Sequence, residues 1–117
     1  MLIYPVASMV GGIAHAGSRE QLLGAHPTPG QERAWSLEAM ARPDAPPTFL
    51  LHAGDDVSVP VENSLRLYRT LLAKRVPAEM HVFEEGGHGF GLRFTTGKPV
   101  AVWSELVIGW WKRKGFI

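Results

Sequence analysis

Two loops of this sequence carry the residues best suited to chemistry. Gly86-Gly87-His88-Gly89-Phe90 follows directly on the alternating run Ala78-Glu79-Met80-His81-Val82-Phe83. A histidine held between glycines at the end of a strand sits on open, adaptable backbone, which suits a general base and fills a core poorly. Upstream, the apolar run from Thr48 to Ala53 leads into Gly54-Asp55-Asp56-Val57-Ser58-Val59-Pro60, which offers a carboxylate from an equivalent position. An acid beyond one strand and a histidine beyond the next supply two groups of a Ser-His-Asp triad. In such a triad the acid fixes the tautomer and orientation of the base and stabilises its imidazolium.

The third group is harder to find. None of Ser8, Ser18, Ser36, Ser58, Ser64 or Ser104 has glycine two residues away on both sides, so the Gly-x-Ser-x-Gly elbow is absent. Ser8 is the candidate substitute nucleophile, because it follows the first apolar run and Gly11-Gly12 nearby could offer backbone donors. The ordinary account of Ser8 is a small residue in a loop. Ser58 is expected to hold the acid loop by local hydrogen bonding. His52, Asp55, Asp56 and His88, with His15 or His26, have the chemistry of a zinc set, but no pair has a recognised ligand spacing, and no metal site is assigned. Trp103 and Trp110 recur at helical spacing, which favours packing over a carbohydrate platform; Trp111 is left open.

The elements that must position these loops follow from hydrophobic periodicity. Leu2 to Val6 reads as a short buried strand. Ser18-Arg19-Glu20-Gln21 has the form of a capping box for a short helix that ends at Gly24, and Thr28-Pro29 and Ser36-Leu37-Glu38 can start two more. Asp44-Ala45-Pro46-Pro47 is a stiff connector into the continuous apolar strand Thr48–Ala53, a pattern expected where both sheet faces are covered. Pro60 suits a first helical position, and Val61, Leu65, Tyr68 and Leu72 form an amphipathic stripe on a helix running to about Arg75. Ala78–Phe83 is the third strand, with His81 as a cross-strand or surface residue. A last helix begins near Pro99 and aligns Trp103, Leu106, Val107 and Trp110. The order predicts an α/β protein with about three parallel strands and flanking helices, whose site lies beyond the carboxyl ends of the strands.

Composition narrows the classes. The 117 residues allow one domain with a modest core. A net charge of +1 gives no electrostatic case for nucleic acid or an anionic membrane, and Lys112-Arg113-Lys114 reads as the last turn of a helix. The start lacks the charged region of a signal peptide, and no apolar run approaches a membrane span. The absence of cysteine excludes disulfides, a thiolate nucleophile and a thiolate-bound metal, and fits a cytosolic setting.

At these residues the chain resembles the carboxyl-terminal half of a serine esterase of the α/β-hydrolase fold, in the group of acetylxylan esterases, dienelactone hydrolases and prolyl oligopeptidases. The likeness runs from Leu2-Ile3-Tyr4-Pro5-Val6 to Trp110-Trp111. Its most specific stretches are Pro46–Ala53, Val59–Leu65 and Gly86–Leu92. The resemblance implies that His88 is the triad histidine and that Asp56, four residues before Pro60, is the acid, with Asp55 as the possible alternative. It implies a carboxylic ester substrate, such as a small acyl or acetyl ester, and no cofactor. It also implies that residues 1–117 are a partial domain lacking the elbow and the oxyanion-hole segment. The alternative from another class is a non-catalytic fragment stabilised by self-association or a partner chain. Either way an exposed sheet edge or apolar face is expected to favour a homo-oligomer. Activation of water by the His88–Asp56 pair is a third possibility.

Overall fold

The computed structural model describes residues 1–117. Its elements are β1 (Leu2–Ile3), α1 (Ala16–Leu23), α2 (Pro29–Ala34), α3 (Leu37–Met40), β2 (Thr48–Ala53), α4 (Glu62–Ala73), β3 (Ala78–Phe83) and α5 (Trp103–Lys114), the last preceded by a 3₁₀ turn over Pro99–Val102. The strands form one parallel sheet in the order β1-β2-β3. Pairing of β2 with β3 runs without interruption from Thr48↔Ala78 to Ala53↔Phe83. The Gly54 N–H then reaches the Phe83 carbonyl at 2.7 Å, so the ladder extends to the foot of the acid loop.

Both faces of β2 are covered, as its apolar run predicts. Phe49, Leu51 and Ala53 face Val100, Trp103, Val107 and Trp110 of the 3₁₀ turn and α5, and Phe90 joins that cluster. Leu50 packs on the other face with Ala7, Leu67, Leu71 and Val76, beneath α4. On α5 the expected stripe is observed, with Trp103, Val107 and Trp110 buried and Leu106 packed beside them. Lys112, Arg113 and Lys114 occupy its last turn, and Gly115 closes it at φ 71°. No helix is long and apolar enough to cross a membrane.

Three local expectations are corrected. The first strand is shorter than Leu2–Val6. Tyr4 still donates to the Leu51 carbonyl at 2.7 Å, but its backbone turns to φ 39° and Pro5 has no N–H to continue the ladder. The first short helix starts earlier than Ser18, because His15 is its cap and accepts from the Ser18 amide at 3.2 Å. On α4, helical structure starts at Glu62, and the buried stripe is Asn63, Ser64, Leu67 and Leu71, with Leu72 half exposed. That face is rotated from the expected one because two polar residues lie on it, and hydrophobic spacing cannot register a side chain buried by its hydrogen bonds. At α2 the expected cap is present as a full capping box between Thr28 and Gln31.

Candidate active site

The two chemical loops leave adjacent strands on the same side of the sheet and meet. His88 Nδ1 lies 2.8 Å from Asp56 Oδ2, across 32 positions of sequence. The Asp56 side chain is fully buried, whereas that of His88 keeps 36% of its accessible surface. A buried carboxylate beside a half-open imidazole is an arrangement able to move a proton between the His88 ring and the surface. With Asp56 ionised, Nδ1 carries the imidazole proton and Nε2 keeps its lone pair.

Asp56 is held by its own loop. Its Oδ1 accepts from the Ser58 amide at 2.9 Å and the Val59 amide at 2.8 Å. Ser58 therefore joins the loop's hydrogen bonding through its backbone N–H and not, as expected, through its side chain. Burial on its own would raise the Asp56 carboxyl. The Val59 amide, the His88 hydrogen bond, the Ser58 amide and the His88 charge outweigh it and hold the pKa below the ordinary 3.8.

A second imidazole lies behind the acid. His52 is wholly buried at the end of β2, with Nε2 2.9 Å from the Val59 carbonyl and 3.3 Å from Asp56 Oδ2. A carbonyl oxygen only accepts, so Nε2 carries the proton, and in the neutral ring Nδ1 accepts from the Ser64 hydroxyl at 2.7 Å. Ser64 on α4, His52 on β2, Asp56 and His88 thus form one continuous polar chain. Sequence reasoning considered His52 for metal binding alone. The signal that could have revealed it is a histidine inside an apolar strand, four residues before an acid. The histidines and carboxylates form no cluster of three or more able to cage a metal ion.

Asp55 faces the other way along the same turn. Its Oδ1 accepts from the Gly86 amide at 2.9 Å and the Gly87 amide at 2.7 Å, and it makes no hydrogen bond to the His88 ring. Tyr4 stands against His88, with ring centroids 4.7 Å apart and planes at 60°, and against Phe90 at 4.9 Å. Its left-handed backbone is uncommon for a bulky residue and turns the aromatic ring onto the imidazole. Downstream, buried Phe90 and a 2.9 Å bond from Trp103 Nε1 to the Gly91 carbonyl anchor the rest of the His88 loop.

Ser8 is placed differently. It is fully buried, its amide donates to Asn63 Oδ1 at 2.9 Å, and its Oγ accepts from the Val10 amide at 3.2 Å. Asn63 holds the whole turn after β1: its Oδ1 also accepts from Ala7, and its Nδ2 donates to the Ile13 and Pro60 carbonyls at 2.6 and 3.0 Å. His81 lies on Phe49 and bonds Glu79 at 3.0 Å, in keeping with its expected place on the sheet.

Known proteins resemble this chain in sequence and fold. Residues 15–114 match the model of the prolyl oligopeptidase family. An acetyl ester-xyloside bifunctional hydrolase from Caldicellulosiruptor lactoaceticus superposes with a TM-score of 0.92 at 43% identity, covering 99% of this chain and 42% of that one. The carboxylesterase Cest-2923 of Lactobacillus plantarum gives a TM-score of 0.79 at 26% identity, over 99% of this chain and 44% of its own. Endo-1,4-beta-xylanase B of Butyrivibrio fibrisolvens is 39% identical over 89 residues, which are 76% of this chain and 14% of the xylanase. The chain thus spans less than half the length of each of these relatives. The family match takes in β2, β3 and all five α-helices, and the chain belongs to the prolyl oligopeptidase family of α/β-hydrolases.

Proposed function

We propose that this chain supplies the acid and base of a Ser-His-Asp carboxylic ester hydrolase. The observation that carries the reading is the 2.8 Å contact between His88 Nδ1 and buried Asp56, with Nε2 left for a reacting hydroxyl. In the reaction, His88 Nε2 removes the proton of an attacking serine as its oxygen bonds to the ester carbonyl carbon. The tetrahedral intermediate then collapses, the C–O bond to the alcohol breaks, and His88 returns the proton to the departing alkoxide. The same base then activates water to release the carboxylic acid. Asp56 stays ionised throughout and stabilises the transient imidazolium.

The serine of this scheme is supplied by a segment outside residues 1–117. An elbow motif is lacking here, and Ser8 is buried and hydrogen-bonded within its own turn. We assign Ser8 a structural role and Asp56, in preference to Asp55, the part of the acid. Short acyl esters, acetylated sugars among them, are the proposed substrates, in line with the acetyl ester and xylan-related names of the relatives.

The test compares the chain with its His88→Ala, Asp56→Ala and Ser8→Ala variants on 4-nitrophenyl acetate. Hydrolysis by the chain alone is expected to be weak and to run through water activated by His88, because the serine is not among these residues and losing even one oxyanion donor costs on the order of a hundredfold or more. It should disappear with His88→Ala and persist with Ser8→Ala. Loss with both would make Ser8 the nucleophile. Turnover unaffected by His88→Ala refutes the mechanism, and no turnover in any variant leaves the non-catalytic fragment as the better account.

A further inference from the structure

We infer that Asp55 is a positioning residue for His88: its carboxylate clamps the loop that carries the imidazole and so sets the distance at which the ring meets Asp56. This rests on the reading of His88 as the base and adds a second role for the paired acids of the β2 loop.

The first support is convergence. The amides of Gly86 and Gly87 point at the same oxygen, Asp55 Oδ1, from 2.9 and 2.7 Å. Successive amides that converge in this way form a concavity suited to an anion. Here the chain's own carboxylate fills it, with charge-assisted bonds stronger than neutral ones.

The second support is need. Gly87 and Gly89, on either side of His88, have φ of 68° and 71°, and no neighbouring atom would meet a side chain at either position. Such backbone has many alternatives of comparable energy. The shape of this short segment is therefore imposed from outside, and Asp55 bonds the two residues immediately before His88.

The third support is shared mounting. Asp55 and Asp56 are consecutive residues of one turn, which is tied to β3 through the Gly54 amide and the Phe83 carbonyl at 2.7 Å and closed by Asp56 N to Ala53 O at 3.3 Å. One residue grips the backbone of the His88 loop and its neighbour grips the imidazole, so both distances are referred to the same rigid strand end. On its other side the loop is met by Lys98 Nζ, 3.4 Å from the Gly86 carbonyl.

The experiment uses the full 117-residue chain without substrate and compares it with Asp55→Ala and Asp55→Asn. Two signals are read by proton NMR: the downfield N–H resonance of His88 Nδ1 against Asp56, and the exchange rates of the Gly86 and Gly87 amides. The buried His52 N–H serves as an internal gauge of the fold. Asp55→Ala should speed exchange of both amides about tenfold or more and weaken or abolish the His88 signal, with His52 unchanged. Asp55→Asn keeps an oxygen able to accept both amides and should restore both readouts.

An Asp55→Ala chain with both readouts at wild-type values overturns the inference, as does a folded Asp55→Asn chain that loses the His88 signal. Should Asp55→Ala fail to fold, Asp55→Ser takes its place, since its hydroxyl is one bond too short to reach both amides and the same losses are expected; wild-type readouts in it overturn the inference. Neither readout depends on turnover. Absence of esterase activity would fail the proposed function and leave the clamp standing, whereas unchanged spectra would fail the clamp whatever the activity.

Discussion

Gly86→Ala is the most exacting perturbation of the loop that carries His88. A methyl built there would lie 2.8 Å from Ala53 Cβ, 3.3 Å from Phe90 Cδ1 and 3.4 Å from Val100 Cγ1. The first contact is well inside van der Waals distance. None of the three neighbours can yield easily, since Ala53, Phe90 and Val100 are essentially without exposed surface. Overpacking of this kind costs about 1–3 kcal/mol, offset by the ~0.4–1 kcal/mol gained when alanine replaces glycine in the unfolded chain. The net loss is then about 1–2 kcal/mol. With an m-value of roughly 1.5 kcal/mol per molar urea, the denaturation midpoint should fall by about 1 M. Ala53→Gly removes the nearest atom, so the double variant should be more stable than the two single losses predict, with a coupling of about 1 kcal/mol. Gly11→Ala, whose nearest contact would be 3.8 Å at Glu32, is the control and should move the midpoint little. A Gly86→Ala chain within about 0.5 kcal/mol of wild type, or strict additivity in the double variant, would refute the packing argument.

Three further outcomes are expected. Asn63→Ala should destabilise the chain by about 3 kcal/mol in urea denaturation, because the amides of Ala7 and Ser8 lose a buried acceptor and the Ile13 and Pro60 carbonyls lose a donor; a loss under 1 kcal/mol would deny the side chain its part in holding the turn. Asp56 and Glu79 both titrate below their ordinary values of 3.8 and 4.5, so the unfolded chain takes up protons first on acidification. The stability they confer is complete above those values and is lost as pH falls through the depressed folded ones, so the urea midpoint should drop as the solution is acidified below about pH 4.5, and less steeply in Asp56→Asn. Finally, β1 leaves one sheet edge unpaired beside an open apolar groove lined by Leu2, Leu37, Met40 and Leu67. Burial of such surface yields roughly 25 cal/mol per Å², so light scattering at micromolar concentration should show a dimer or larger species, and a stably folded monomer would count against it.

The parts of the site legible in sequence were those written in backbone signals. The apolar run Thr48–Ala53, the alternation Ala78–Phe83 and the glycines around His88 located both loops, and parallel order put them at one end of the sheet. What escaped was written in side-chain hydrogen bonds. Asn63 and Ser64 look like solvent-facing polar residues on an amphipathic helix, yet their bonds to the β1 turn and to His52 bury them and rotate the helix. The short β1 is overextended in the sequence reading because the apolar run Leu2 to Val6 does not register the left-handed turn at Tyr4. Asp55 and Asp56 are chemically identical and adjacent, so the family resemblance could favour one as acid but could not assign the other a task. That difference lies in which donors each carboxylate meets.

The residues that bind the acid and the base to each other come from a single stretch of β2, α4 and β3: His52, Asp55, Asp56, Val59, Ser64, Gly86 and His88. Tyr4 is the contributor from β1. The pair is accordingly a product of one crossover unit, closed by a loop of modest length, and its assembly requires no contact with a nucleophile-bearing segment. In a fragment-complementation experiment the two pieces of such a hydrolase would meet as prefabricated surfaces. On the function proposed above, any recovery of activity would follow second-order docking kinetics, with the His88–Asp56 contact already formed before docking.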